Sequence, residues 1–292
     1  MKFADLFSGC GGFSHAFYKD ESFQHIFACD SWDIAKNTYI ENYKSASCET
    51  LDLYDQENVA SVCRKLVESD CELILGGPPC QGFSTLGKRA LGDCRDSLAT
   101  TFLRIVKECR PKVAIMENVR GITSKNSFAD GNITRHIYEM LEANSLYNIN
   151  FFVLEGVKYG LAQTRTRWFM LATNKKWDKK QIVIRKILSS IEKQSSNTQL
   201  SLYDVIGDLP PVDVGCKDDP VYIDKNGNKI VIRNHIPLNH GKQLQERLAH
   251  VPAGGGLLDV PVELLTPHLR KMVDGKYGSG QCCPAKQPKI RG

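Results

Sequence analysis

Short apolar runs alternate with amphipathic stretches over the first 175 residues of the chain. The runs at residues 2–7, 25–28, 71–75, 112–116, 150–155 and 168–173 are brief and rich in β-formers, which predicts strands. Between them, apolar side chains recur at helical spacing, which predicts helices at 12–19, 33–42, 56–68, 96–108 and 134–144. Strands that alternate with helices imply parallel pairing, because each crossover helix must lie over the sheet. The expected fold class is therefore α/β, a doubly wound and mostly parallel sheet. No internal repeat interrupts the pattern.

Past Asn174 the character changes. Residues 175–193 carry Lys175, Lys176, Lys179, Lys180, Arg185, Lys186 and Lys193 against Asp178 and Glu192, and 194–199 form a polar linker. Beyond it the chain is rich in Pro and Gly, with the turn signal Asp224-Lys225-Asn226-Gly227 between the runs 220–223 and 229–232. These features predict a domain over 1–174 and a smaller region over 175–292. The lysines read as a solvated helix face or as a track for phosphates.

At 292 residues and 42% hydrophobic, the chain can fill a large core. A net charge of +5 is compatible with a polyanionic partner and does not require one. No apolar run approaches the ~18 residues of a membrane span. The amino terminus enters a strand at once, so a cytoplasmic protein without a secretory leader is expected. Eleven cysteines raise the question of a metal. None stands at Cys-x-x-Cys spacing and no His-rich segment accompanies them, so no metal is expected and most read as reduced, buried fillers.

Four segments carry candidate chemistry. Asp5-Leu6-Phe7-Ser8-Gly9-Cys10-Gly11-Gly12 is a strand, a glycine-rich turn and a helix start, which suits either a ligand loop or a tight βα turn. Gly76-Gly77-Pro78-Pro79-Cys80-Gln81-Gly82-Phe83-Ser84 sets Cys80 just past the carboxyl end of a buried strand, the edge where open α/β sheets place ligands. Met116-Glu117-Asn118-Val119 brings Glu117 to that same edge, as an acid or as a helix cap. Gln163-Thr164-Arg165-Thr166-Arg167 precedes a strand, and alternation puts both arginines on one face.

Together and in this order, these segments resemble the cytosine-5 DNA methyltransferases of bacterial restriction–modification systems. The resemblance covers residues 2–280 and implies an S-adenosylmethionine-dependent methyltransferase fold. It makes Phe7, Gly9, Gly11, Gly12, Asp30, Asp52, Leu53 and Pro79 cofactor-binding, with Trp32 either a second wall of that pocket or a core aromatic. It makes Cys80 the thiolate that adds to C6 of a cytosine flipped out of duplex DNA, and Glu117 the proton donor at N3. Arg167 would contact O2 and Arg165 would steady the site. The polar stretch 81–95 is similar to a mobile catalytic loop, in which Gln81, Ser84, Lys88, Arg89 and Arg95 would meet DNA.

The resemblance also implies closing motifs that this chain lacks; it ends instead in an unmatched tail from about residue 281. The smaller region is thus expected to be an incomplete target-recognition region, and an alternative reading follows: a catalytically incomplete subunit or truncated product that needs a complementary C-terminal polypeptide. A tRNA-methylating relative would carry Cys-Phe-Thr, which is absent. A nicotinamide-dependent oxidoreductase would leave Cys80, Glu117 and Arg167 unexplained together.

Overall fold

The computed structural model describes residues 1–44, 46–79, 98–123, 133–142, 145–196, 199–212, 215–223, 226–233, 235–252 and 254–273. Seven strands form one sheet: β1 (Lys2–Leu6), β2 (Gln24–Asp30), β3 (Cys48–Thr50), β4 (Leu73–Gly76), β5 (Val113–Val119), β6 (Tyr147–Glu155) and β7 (Thr166–Asn174). Their spatial order is β3-β2-β1-β4-β5-β7-β6. All pairings are parallel except those of β7, which runs antiparallel to β5 and β6. The β6–β7 connection carries only a short 3-10 turn, Gly156–Tyr159, and no crossover helix, so β7 must return antiparallel.

The helices α1 (Ser14–Tyr18), α2 (Asp33–Asn42), α3 (Gln56–Glu68), α4 (Leu98–Cys109), α5 (Ile133–Ile137) and α6 (Ile182–Gln194) accompany this sheet. In α3, Val59, Val62, Cys63 and Leu66 recur at helical spacing and are buried, and Asp55 caps the first turn by accepting the Glu57 N–H at 2.8 Å. The expected helix over 134–144 is described as far as residue 142. It passes from α5 into a turn of wider π geometry at Tyr138–Glu142. The short strand β3 was not among the apolar runs, because Cys48-Glu49-Thr50 pairs only with β2 at the sheet's edge.

Alternation along the strands separates the two larger of three apolar clusters among the described residues. Ala4, Leu6, Ile74, Ala114 and Met116 join the buried faces of α3 and α4. Phe3, Leu73, Leu75, Val113 and Leu171 join Ile184 of α6 on a separate core. Strands buried on both faces read as unbroken apolar runs, which is what makes them legible.

Two compact units divide the chain, Met1–Gly207 and Asp208–Gly292. The change of composition near residue 175 coincides with the end of β7, yet α6 stays with the first unit because Ile184 is buried in its core. A short helix α7 (Leu202–Ile206) closes that unit, with the Ser201 hydroxyl and Asp204 carboxylate forming a reciprocal cap. Within the second unit, β8 (Val221–Ile223) and β9 (Lys229–Val231) pair antiparallel, as the turn signal predicted. Two helices follow, α8 (Lys242–Ala249) and α9 (Pro267–Val273).

The order of the parallel strands reverses at β1: the chain steps outward to β2 and β3, then crosses back to β4. A crevice opens at such a switch point, beyond the carboxyl ends of the strands on either side. The described parts of the candidate motifs gather there.

Candidate active site

The glycine-rich turn leaves β1 through a series of left-handed residues. Phe7 has φ 58°, Gly9 φ 54° and Gly11 φ 90°. For Phe7 this conformation is strained, and its neighbours hold it: Ser8 N–H donates to Cys29 O at 3.0 Å and Gly11 N–H to Ser8 O at 2.9 Å. At Gly11 only hydrogen fits, since a Cβ would stand 2.1 Å from Tyr43 Cε2. The Tyr43 hydroxyl in turn donates to Gly11 O at 2.7 Å.

Asp30, at the end of β2, ties the turn to the sheet. Its Oδ2 accepts the Gly9 N–H at 2.9 Å and its Oδ1 the Trp32 N–H at 3.0 Å. Among the described residues, Asp30 lines a cavity of about 250 Å³ with Phe7, Leu51, Asp52, Leu53 and Pro79. Asp52 accepts the Tyr54 N–H at 2.9 Å, which turns the chain after β3. Trp32 is not among the lining residues. It is 61% exposed at the start of α2, so it is no core aromatic.

A second cavity, of about 660 Å³, opens from the same turn. Among the described residues its walls include Asp5, Gly9, Gly12, Phe13, Glu117, Arg165, Arg167 and Phe169. Phe7 and Gly77 border both cavities. Register explains the meeting of charges: Glu117 lies opposite Phe169 and Val119 opposite Arg167, so Glu117 and Arg167 are diagonal neighbours on one face. Arg167 Nε stands 2.7 Å from Glu117 Oε1, and both side chains are mostly buried. Arg165, just before β7, anchors the turn by accepting the Gly156 N–H on its carbonyl at 2.8 Å.

Two residues of this site escaped the sequence reading. Asn118 is buried and its Nδ2 donates to Pro78 O at 2.9 Å, fixing the start of the Pro-Pro loop. Its adjacency to Glu117 was the available signal. Asp5 is 1% exposed and accepts the Ser14 hydroxyl at 2.6 Å on Oδ2. Its Oδ1 is buried with no hydrogen-bond partner among the described residues. Burial pushes Asp5 up to about 7, partly opposed by the hydrogen bonds from Ser14. An acidic residue inside an otherwise apolar strand was its signal.

Glu117, Arg165 and Arg167 therefore share one cavity with Gly9 and Gly12, while Phe7 joins that cavity to the one bearing Asp30, Asp52, Leu53 and Pro79. Cys80, Gln81, Ser84, Lys88, Arg89 and Arg95 lie outside the described residues.

The family profile of C-5 cytosine-specific DNA methylases matches residues 1–248. The Type II methyltransferase M.DdeI of Desulfomicrobium norvegicum is 34% identical over 275 residues, covering 90% of this chain and 64% of the relative. The Type II methyltransferase M.HgiDI of Herpetosiphon aurantiacus is 38% identical over 172 residues, 59% of this chain and 52% of the relative. This chain thus spans under two thirds of the length of either. Among solved structures, a putative DNA modification methyltransferase encoded within an E. coli prophage has the same fold. It superposes with a TM-score of 0.57 at 22% identity, over 88% of this chain and 66% of that one.

Proposed function

This chain belongs to the C-5 cytosine-specific DNA methylase family, and on that premise we propose that it transfers a methyl group to C5 of a cytosine in duplex DNA. The observation that carries the reading is the Glu117–Arg167 pair, which borders the same cavity as the glycine turn. An acid and a guanidinium side by side suit a ring that gains electrons: one supplies a proton and the other stabilises a carbonyl oxygen.

The chain's own residues suit S-adenosylmethionine, which when bound supplies an electrophilic methyl group. Gly9, without a side chain, admits close approach of a ligand at one cavity, Asp30 and Asp52 present carboxylates beside apolar Phe7 and Leu53 at the other, and Asp5, on the wall of the first, keeps Oδ1 without a hydrogen-bond partner among the described residues. Pro79 adds an apolar edge to the same cavity.

In this reading the target base leaves the stack, since C5 and C6 cannot be reached within the duplex. The Cys80 thiolate bonds to C6 while Glu117 gives its proton to N3, and Arg167 steadies O2 with Arg165 behind it. After C5 has been methylated, its proton is lost to a base, the C6–sulfur bond breaks and Cys80 leaves as thiolate. Gln81, Ser84, Lys88, Arg89 and Arg95 meet the DNA, and the residues from 175 onward read its sequence. Relatives called Type II methyltransferases support a place in restriction–modification.

The test is incubation of the purified chain with methyl-labelled S-adenosylmethionine and unmethylated duplex DNA. Label recovered as 5-methylcytosine is the expected result. Label recovered in another base would overturn the reading. Activity that appears only on mixing with a second polypeptide would establish the incomplete-subunit alternative.

A further inference from the structure

Behind the glycine turn, four polar side chains form an unbroken chain through the interior. Ser14 Oγ donates to Asp5 Oδ2 at 2.6 Å, Ser14 Oγ and the Tyr39 hydroxyl are 2.8 Å apart, and the Tyr39 hydroxyl and His25 Nε2 are 2.9 Å apart. Asp5, Ser14 and Tyr39 are each at most 1% exposed. The chain links β1, α1, α2 and β2. Each end carries a buried atom with no partner among the described residues, Asp5 Oδ1 at one and His25 Nδ1 at the other.

With Asp5 ionised, proton counting fixes its direction. Each hydroxyl has one hydrogen to give. With Ser14 donating to Asp5, Tyr39 must donate to Ser14, and His25 must donate from Nε2 to Tyr39. His25 Nδ1 is then a bare lone pair. In the reverse direction Asp5 would be a protonated donor, and His25 Nδ1–H would be a donor buried without an acceptor. Buried N–H groups left unpaired are rarer than under-satisfied acceptors. Burial also drives His25 down to about 4, so its ring is neutral near neutrality and carries one proton to place.

The other titratable groups facing Asp5 are Asp30 and Cys29 from β2, Tyr39 and Tyr43 from α2 and Cys48 from β3. None is a cation. Support for a carboxylate there comes from the Ser14 hydroxyl, at the head of the hydrogen-bond chain, and from the Ser14 backbone N–H, both opposing the cost of its burial.

We infer that His25, acting through Tyr39 and Ser14, holds Asp5 as an ionised acceptor with Oδ1 free for the ammonium of the cofactor's amino-acid arm. This deepens the cofactor reading above and rests on it. His25, Tyr39 and Ser14 are positioning residues: none lines either cavity described above, and each acts through the next.

The experiment compares two ligands by calorimetry on the full chain. S-adenosylhomocysteine carries the amino-acid arm; 5′-methylthioadenosine keeps the adenosine and thioether and lacks it. Tyr39→Phe and His25→Leu are expected to weaken the first about tenfold, the loss of one charge-assisted hydrogen bond, and to leave the second unchanged. His25→Gln, whose amide N–H can replace Nε2–H, is expected to restore binding. Equal weakening of both ligands would mean a merely structural role and would overturn the relay. Wild-type chain that binds neither ligand would instead overturn the cofactor reading, and the relay with it. Independently of ligand, nitrogen-15 spectra recorded well above pH 7, where Asp5 is ionised, should show the His25 proton on Nε2; a proton on Nδ1 would refute the direction assigned.

Discussion

Arg167 and Glu117 meet at 2.7 Å across the antiparallel β5–β7 ladder, although they are far apart in sequence and both belong to strands. Had β7 paired with β5 one residue out of register, Arg167 would stand on the opposite face of the sheet. The polarity and register of the antiparallel strand thus decide whether the acid has a cation beside it.

The pair gives a direct expectation. Glu117→Gln keeps the shape and cannot deliver a proton, so methyl transfer should fall by about 10²-fold or more. Binding of S-adenosylhomocysteine should change less than twofold. Transfer that persists at wild-type rate would remove Glu117 from the chemistry.

Asn118→Ala deletes the amide that satisfies Pro78 O inside the protein. A buried carbonyl left unpaired costs roughly 1–3 kcal/mol. Urea unfolding should show that loss, and transfer activity should fall further than stability alone accounts for, since the Pro-Pro loop loses its tether. A variant as stable and as active as wild type would show the bond to be incidental.

At Gly11, alanine meets two obstacles: a φ of 90° and a tyrosine ring edge 2.1 Å from the new Cβ. Gly11→Ala should displace Tyr43 and the turn together, lowering the melting temperature and weakening S-adenosylhomocysteine at least tenfold by calorimetry. Gly12, where an added Cβ would have nothing within 4 Å, should accept alanine with little loss of stability.

Stability should depend on pH through Asp5 and His25 in opposite senses. Burial raises Asp5 from 3.8 to about 7, so its contribution to stability is full below about pH 4 and is lost as pH rises through about 7. Burial lowers His25 from 6.5 to about 4, so its contribution is present above about pH 6.5 and lost as pH falls through about 4. Between about pH 4 and 6.5 the two slopes oppose one another. Asp5→Asn removes the first, so the variant should gain stability relative to wild type as pH rises from about 4 to 7, by at most about 4 kcal/mol. Urea unfolding at both ends of that range measures the difference; a constant offset would exclude Asp5 as the source.

The sequence by itself determined six of the seven strands of the main sheet, most of the helices that accompany it and the α/β class. Strands covered on both faces must be apolar at every position, and crossover helices must be amphipathic, so both periods are written locally. It also marked the segments that carry polar chemistry, because glycines, prolines and charges interrupt those periods where the chain leaves the sheet. Three things were decided only by tertiary structure. β7 runs antiparallel, which sets Arg167 beside Glu117 rather than across the sheet. The compact unit extends to Gly207, since a lysine-rich segment can still bury one isoleucine. Asp5, Ser14, Tyr39 and His25 join into one chain of hydrogen bonds. Each depends on contacts between residues distant in sequence. Local periodicity reports which face of an element is buried and is silent about which other residue it meets there.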